Sequence, residues 1–159
     1  MNMSFPDSPF KTHGGVDVPH RKNTAQQESA VMPAPEEVVL SMSQHVGPPC
    51  VPTVKAGDTV LVGQKIADST AFVSAPIHAS ISGQVAGIVK VALAGGQVVD
   101  AVKIKSDGKM EVSPDVKPPV INSKEDFLKA VHECGLVGLG GAGFPTHVKL
   151  NVPKDKTVD

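Results

Sequence analysis

Between residues 135 and 150 the chain runs Gly-Leu-Val-Gly-Leu-Gly-Gly-Ala-Gly-Phe-Pro-Thr-His-Val-Lys-Leu, the stretch whose residue types and spacing can best do chemistry. Gly135, Gly138, Gly140, Gly141 and Gly143 leave the backbone bare, so a flat or phosphorylated ligand can approach it closely. Gly138, Gly140 and Gly143 satisfy G-x-G-x-x-G literally. The dinucleotide-binding form of that pattern follows a strand and opens a helix. Here a helix is expected before it, and Pro145 follows almost at once. The physical logic survives the mismatch. Pro145 suits the first turn of a following helix, leaving free N–H donors aimed at an anion, and Lys149 can supply a cation. The alternative is a flexible loop with no ligand.

Other candidates are weaker. Cys50 and Cys134 are the only cysteines, too few to ligate a structural zinc or an iron–sulfur cluster, and are expected to be small buried hydrophobes. His13 and His20 lack the carboxylate or cysteine support of a metal site. His45 stands before a Gly-Pro turn and is expected to be structural, and His78 is expected on a solvated strand face. No serine, histidine and acid arrangement has nucleophile spacing, so no catalytic residue is assigned.

The elements that must position the glycine segment are mostly strands. The 159 residues hold 15 Gly and 14 Pro, and valine leads the apolar residues, as a turn-rich β fold requires. Residues 1–37 carry recurrent prolines and no apolar periodicity, and are expected to form an extended arm. Val38–Leu40 opens a strand. Gly57-Asp58 and Gly63-Gln64 flank another. From Val73 to Ala92 the pattern has a period of two, with Val73, Ala75, Ile77, Ala79, Ile81, Val85, Val89 and Val91 on one side, and Gly83 is expected to bend the strand midway. Val102 and Ile104 oppose Lys103 and Lys105. Residues 38–106 therefore predict a compact β-sandwich or barrel, 107–122 a linker, and 123–134 a helix capped by Ser123 and stopped by Gly135, with Phe127 and Val131 as packing residues.

The balance of 15 basic against 16 acidic residues offers no basic surface for nucleic acid, and five Phe without Trp or Tyr offer no base-stacking platform. No apolar run approaches the roughly 20 residues of a membrane span, and the N-terminus lacks a signal-peptide core.

Three stretches together resemble the N-terminal third of the RnfC protein of the Rnf (or Rsx) electron-transport complex. They are Gly14-Gly15-Val16, then Ser43-Gln44-His45-Val46-Gly47-Pro48-Pro49 through Phe72-Val73-Ser74-Ala75-Pro76-Ile77-His78-Ala79-Ser80-Ile81-Ser82-Gly83, and Gly138 to Leu150. The resemblance implies a mainly β barrel-sandwich hybrid of the biotinyl/lipoyl type over 38–106, and over 123–159 the truncated start of an α/β FMN- and NADH-binding domain. Its glycine loop is similar to that of the flavoprotein subunit of respiratory complex I. Gly138, Gly140, Gly141, Ala142 and Gly143 would then meet the isoalloxazine and ribityl chain of FMN through backbone. Thr146 and Lys149 would complete the cofactor contacts, Lys149 by neutralising phosphate. Phe144 would either stack on the ligand or anchor the loop.

The family resembled uses FMN, NAD(H) and two [4Fe–4S] clusters in a membrane-associated, ion-translocating ferredoxin:NAD oxidoreductase. RnfC proteins lie peripherally on the cytoplasmic face beside the other members of the Rnf complex. The chain departs from the family with Asp17-Val18-Pro19 where His-Pro is usual, and it carries no C-x-x-C-x-x-C cluster motif. It is expected to end before the acidic segment that completes the flavin site, and so not to hold FMN firmly alone. Two other functions fit the same elements: a structural interaction module, or a biotinyl/lipoyl carrier. The carrier needs a lysine at the hairpin tip, and Asp68-Ser69-Thr70-Ala71-Phe72 has none.

Overall fold

The computed structural model describes residues 19–153 and 156. Gly14-Gly15-Val16, His13 and most of the expected arm lie outside them. The chain divides into two compact units, Met1–Met32 and Pro33–Asp159. In the first, the described residues 19–32 are exposed, with turns closed by Ala25 N–H to Lys22 O and Gln27 N–H to Thr24 O.

The described residues of the second unit form seven strands and two short helices: β1 (Glu37–Ser41), β2 (Val51–Pro52), β3 (Thr59–Val60), β4 (Lys65–Asp68), β5 (Ile77–His78), β6 (Gly83–Ala92), β7 (Val98–Ser106), α1 (Lys124–Glu133) and α2 (Thr146–Leu150). They form a four-stranded sheet in the order β1-β7-β6-β3 and a three-stranded sheet in the order β2-β4-β5. All pairings are antiparallel. The core lies where the sheets meet: Met42, Cys50, Val60, Ile66, Ile77, Ile81, Val85, Val102 and Ile104 are buried together, with Val38 and Leu40 packed on them. Burying so many aliphatic side chains at about 25 cal/mol per Å² is the main force that curls the two sheets face to face.

The mainly β sandwich expected from the sequence is the fold, but its longest expected strand is not one strand. The period-two run from Val73 breaks after β5, crosses between the sheets, and resumes at β6. Ser74 and Ser82, expected on the polar face, are fully buried at that crossing. Ser82 Oγ donates to Asp107 Oδ1 (2.7 Å) and accepts from Glu111 N–H (3.0 Å), so the hydroxyl ties down the segment after β7. Gly83 opens β6 rather than bending it. The irregularity falls at Ala86, because Val85 faces Ile104 while Gly87 faces Lys103. Residues 107–122 hold no strand or helix beyond a bridge between Val62 and Val112.

Helix α1 begins and ends on the expected signals. The Ser123 side chain accepts from Asp126 N–H. At the other end Gly135 N–H bonds His132 O and Leu136 N–H bonds Val131 O, the paired closure that a left-handed residue permits, with Gly135 at φ +67°. Val131 is buried, but Phe127 is 41% exposed and is not a core residue. Cys134, at the C-cap, is exposed as well, against expectation; Cys50 is buried as expected.

Candidate ligand-binding site

The glycine segment folds as a closed loop standing on a short bridge between Val137 and Pro145. Gly138 N–H donates to Phe144 O (3.0 Å) and Thr146 N–H to Leu136 O (2.9 Å), which fixes the neck. Above the neck, none of the N–H groups from Leu139 to Phe144 donates to a protein acceptor among the described residues. A Cβ added at Gly140 or Gly141 would meet nothing within 4 Å. The loop therefore presents bare backbone and free donors, the arrangement that cradles anions.

The five glycines divide by role. Gly140 and Gly141 face open space. Gly143 (φ +71°) is pressed against the sandwich, where a Cβ would come within 3.0 Å of Gln44 O, and its own carbonyl accepts from Val46 N–H (3.2 Å). Gly135 is pressed against Pro76 O and the His78 ring. Gly138 makes room for Lys149, whose Nζ would lie 2.6 Å from its Cβ. Lys149 also sits over the half-buried Phe144 ring, 5.9 Å from the centroid. Ala142 is exposed in the loop.

Pro145 and Thr146 differ from expectation. Pro145 is buried and stands just before α2, and α2 is a single five-residue turn whose first N–H, that of Thr146, is already engaged by Leu136 O. The free donors belong to the loop and not to a helix start.

Between the loop and the β1–β2 corner lies an open groove of about 450 Å³, lined by Ser43, Gln44 and His45 on one side and by Val137–Leu139 and Gly141–Gly143 on the other. His45 is buried, its Nδ1 3.1 Å from Val46 O and its Nε2 3.4 Å from Cys50 Sγ, as a structural histidine. Burial raises the Cys50 thiol above its ordinary pKa, with the charge of Asp68 adding to it, so it stays protonated.

The helices are held to the sandwich by polar links. Lys65 Nζ bridges Asp68 (2.9 Å) and Glu133 (2.6 Å). The hydrogen bond from Lys65 holds Glu133 below the usual carboxylate range. His78 is half-buried under Gly135 and not on a solvated face; burial, then the Lys65 charge, lowers its pKa. His147, which spacing did not single out, donates from Nε2 to Phe72 O (3.2 Å). Its ring meets His132 edge-on at 4.6 Å, and its Nδ1 is buried without a partner. Only the folded chain brings His147 to Phe72 and Ser43-Gln44 to the loop; no local signal marks them.

Burial, with the His132 charge second, holds His147 below the ordinary imidazole value. The folded chain thus keeps it neutral while the unfolded chain takes up a proton near pH 6.5. Stability from this group is full above that pH and is lost as the pH falls below it. Acidification from pH 7.5 to 5 is expected to lower the thermal midpoint more in the wild type than in His147→Gln, which can keep a donor to Phe72 O. Parallel declines in the two proteins would show that another group titrates.

Residues 10–109 match the family model described as RnfC Barrel sandwich hybrid domain. The chain is 45% identical, over 99% of its length and 36% of the relative, to the C subunit of the Na(+)-translocating ferredoxin:NAD(+) oxidoreductase complex of Acetobacterium woodii. It is 43% identical to the C subunit of the proton-translocating ferredoxin:NAD(+) oxidoreductase complex of Clostridium ljungdahlii, over 87% of the chain and 31% of the relative. It is 36% identical to the C subunit of the ion-translocating oxidoreductase complex of Rhodobacter capsulatus, over 94% and 30%. The chain thus spans about a third of the length of these relatives.

Proposed function

The chain belongs to the RnfC family, and from that membership we propose that it serves an ion-translocating ferredoxin:NAD oxidoreductase as the docking module and half of the FMN/NADH site of its RnfC component. The observation that carries the reading is the glycine loop: free N–H groups from Leu139 to Phe144, open space over Gly140 and Gly141, and a groove beside them.

These residues fit FMN. The loop amides suit a phosphate or an electron-rich ring edge, and the bare backbone at Gly140 and Gly141 lets a planar ring lie close. Lys149 on α2 reaches back beneath the loop, its ammonium beside Gly138 and over the Phe144 ring, where its charge favours an anion on the loop. Bound FMN supplies hydride acceptance from NADH and one-electron passage onward. The chain's own part is to grip and orient the ligand. Its two cysteines cannot ligate a [4Fe–4S] cluster, so any cluster on the electron path is held by other residues of the protein or complex.

The sandwich is the natural surface for other Rnf subunits. Peripheral attachment to the cytoplasmic face agrees with the absence, among the described residues, of a helix long and apolar enough to cross a membrane. A carrier role finds no support: the β4–β5 connection, residues 69–76, holds no lysine to modify, and it is tied to α2 through His147.

The test is FMN and NADH binding by this chain beside a version extended through the segment that follows in its relatives. The longer protein is expected to bind FMN at least about tenfold more tightly, a difference of some 1.4 kcal/mol. Submicromolar binding by the shorter chain would defeat the half-site. Absence of binding by both would leave an assembly module.

A further inference from the structure

We infer that the sandwich supplies the second wall of the ligand groove, where Gln44 and Ser43 read hydrogen-bond donors of the phosphorylated ligand that the glycine loop holds. The inference rests on the ligand-loop reading above and deepens it.

The two walls are joined at their base. Val46 N–H bonds Gly143 O at 3.2 Å, and the Gly143 backbone packs so closely on Gln44 O that a Cβ would come within 3.0 Å. The spacing between loop and corner is therefore set by backbone contacts and not by long side chains. The groove of about 450 Å³ is of small-molecule size.

The corner is braced before any ligand arrives. Ser41 Oγ accepts from Ser43 N–H (3.1 Å) and lies 3.4 Å from Ser43 O as a donor. Gln44 Nε2 donates to Ser41 O (2.9 Å), which pins the carboxamide. Both ring nitrogens of His45 are engaged within the sandwich, so His45 gives shape to the wall but no hydrogen bond to a ligand. Gln44 Oε1 and Ser43 Oγ remain without partners among the described residues. An exposed acceptor held by its own fixed amide costs little entropy to use.

The two walls thus offer opposite chemistry. The loop offers backbone donors, which suit a phosphate. The corner offers a carboxamide oxygen and a hydroxyl, which suit ligand O–H or N–H groups. Inorganic phosphate would satisfy only the loop. A ligand with both features, such as a flavin mononucleotide with ribityl hydroxyls and an imide N–H, would engage both walls at once.

The test is an amide NMR titration of the full chain at millimolar FMN, riboflavin and inorganic phosphate, repeated with Gln44→Leu and Ser43→Ala. FMN is expected to shift the amides of Gly138–Gly143 and those of Ser43 and Gln44 with one dissociation constant, and phosphate to shift the loop alone. Gln44→Leu is expected to weaken FMN and riboflavin by about three- to tenfold, the worth of one or two hydrogen bonds, and to leave the phosphate response and the thermal midpoint unchanged. Ser43→Ala, which leaves the Gln44 brace in place, is expected to weaken FMN in the same direction. If FMN shifts the loop while Ser43 and Gln44 stay silent and both variants bind like wild type, the second wall is overturned and the loop reading stands. If FMN leaves the loop amides unmoved in this chain and in the extended protein alike, both fall together.

Discussion

Replacing Gly83 by Ala is expected to lower the stability of the sandwich by about 3–5 kcal/mol, a large effect for a single methyl group. Gly83 pairs on both sides, with Ser106 of β7 and Val60 of β3. Its φ of +151° belongs to a region essentially closed to other residues. A Cβ there would fall on the Lys105 carbonyl, a backbone atom inside the four-stranded sheet that cannot swing away. Gly87 separates the two costs. It has the same φ of +151°, but its Cβ would meet nothing within 4 Å. Gly87→Ala should therefore show the conformational term alone, about 1–3 kcal/mol. Urea unfolding of the two variants measures the difference. Equal midpoints would mean that β6 and β7 part locally and that the close approach at Lys105 does not constrain the fold.

Gly83 also marks how far the sequence was legible. Alternation along Val73–Ala92 put Ala75, Ile77, Ala79, Ile81 and Val85 inside, and all five are buried, whereas Val73, Val89 and Val91 of the same face are only half-buried. It could not show that the chain changes sheets on the way. At a corner covered from both sides the apolar residues still alternate, while Ser74 and Ser82 are buried too and answer their polarity by hydrogen bonds to Ala71 O and Asp107. Periodicity reports burial; it does not report which partner strand is paired.

The helix was legible at both ends because its signals are local: a hydroxyl at the start, a glycine at the stop. Which of its faces meets the sandwich depends on Lys65 and His78, far away in sequence, and so Phe127 and Cys134 were misplaced. The glycine loop shows the same division. Its composition announces bare backbone. Only the fold separates Gly140 and Gly141, which are free to meet a ligand, from Gly135 and Gly143, which let the loop dock on the sandwich.

That separation predicts opposite behaviour from two similar substitutions. In Gly135→Ala, a left-handed φ of +67° costs about 1–2 kcal/mol by itself. The added Cβ would also stand 2.5 Å from Pro76 O and 3.2 Å from His78 Nδ1. Together these put the loss at about 2–4 kcal/mol. The strain sits at the joint, and the sheets do not share it. Apart from the Val46–Gly143 backbone bond and the buried Val131 and Pro145, α1 and the loop are held by exposed or partly exposed links, from Lys65 to Glu133 and from His147 to Phe72 O, which are individually weak. Amide exchange should therefore rise over residues 124–150 while β6 and β7 stay protected.

Gly141→Ala has neither a left-handed φ nor a neighbour within 4 Å, and its stability is expected to stay within about 0.5 kcal/mol of wild type. Both variants should weaken FMN in the extended protein, for different reasons. Gly135→Ala spoils the groove by letting the loop leave its wall; Gly141→Ala keeps the groove and puts a methyl on its lining. Faster exchange throughout β6 and β7 in Gly135→Ala would show that the loop and sandwich unfold as one unit. Unchanged FMN affinity in Gly141→Ala would place the ligand elsewhere and make the whole glycine segment a docking element.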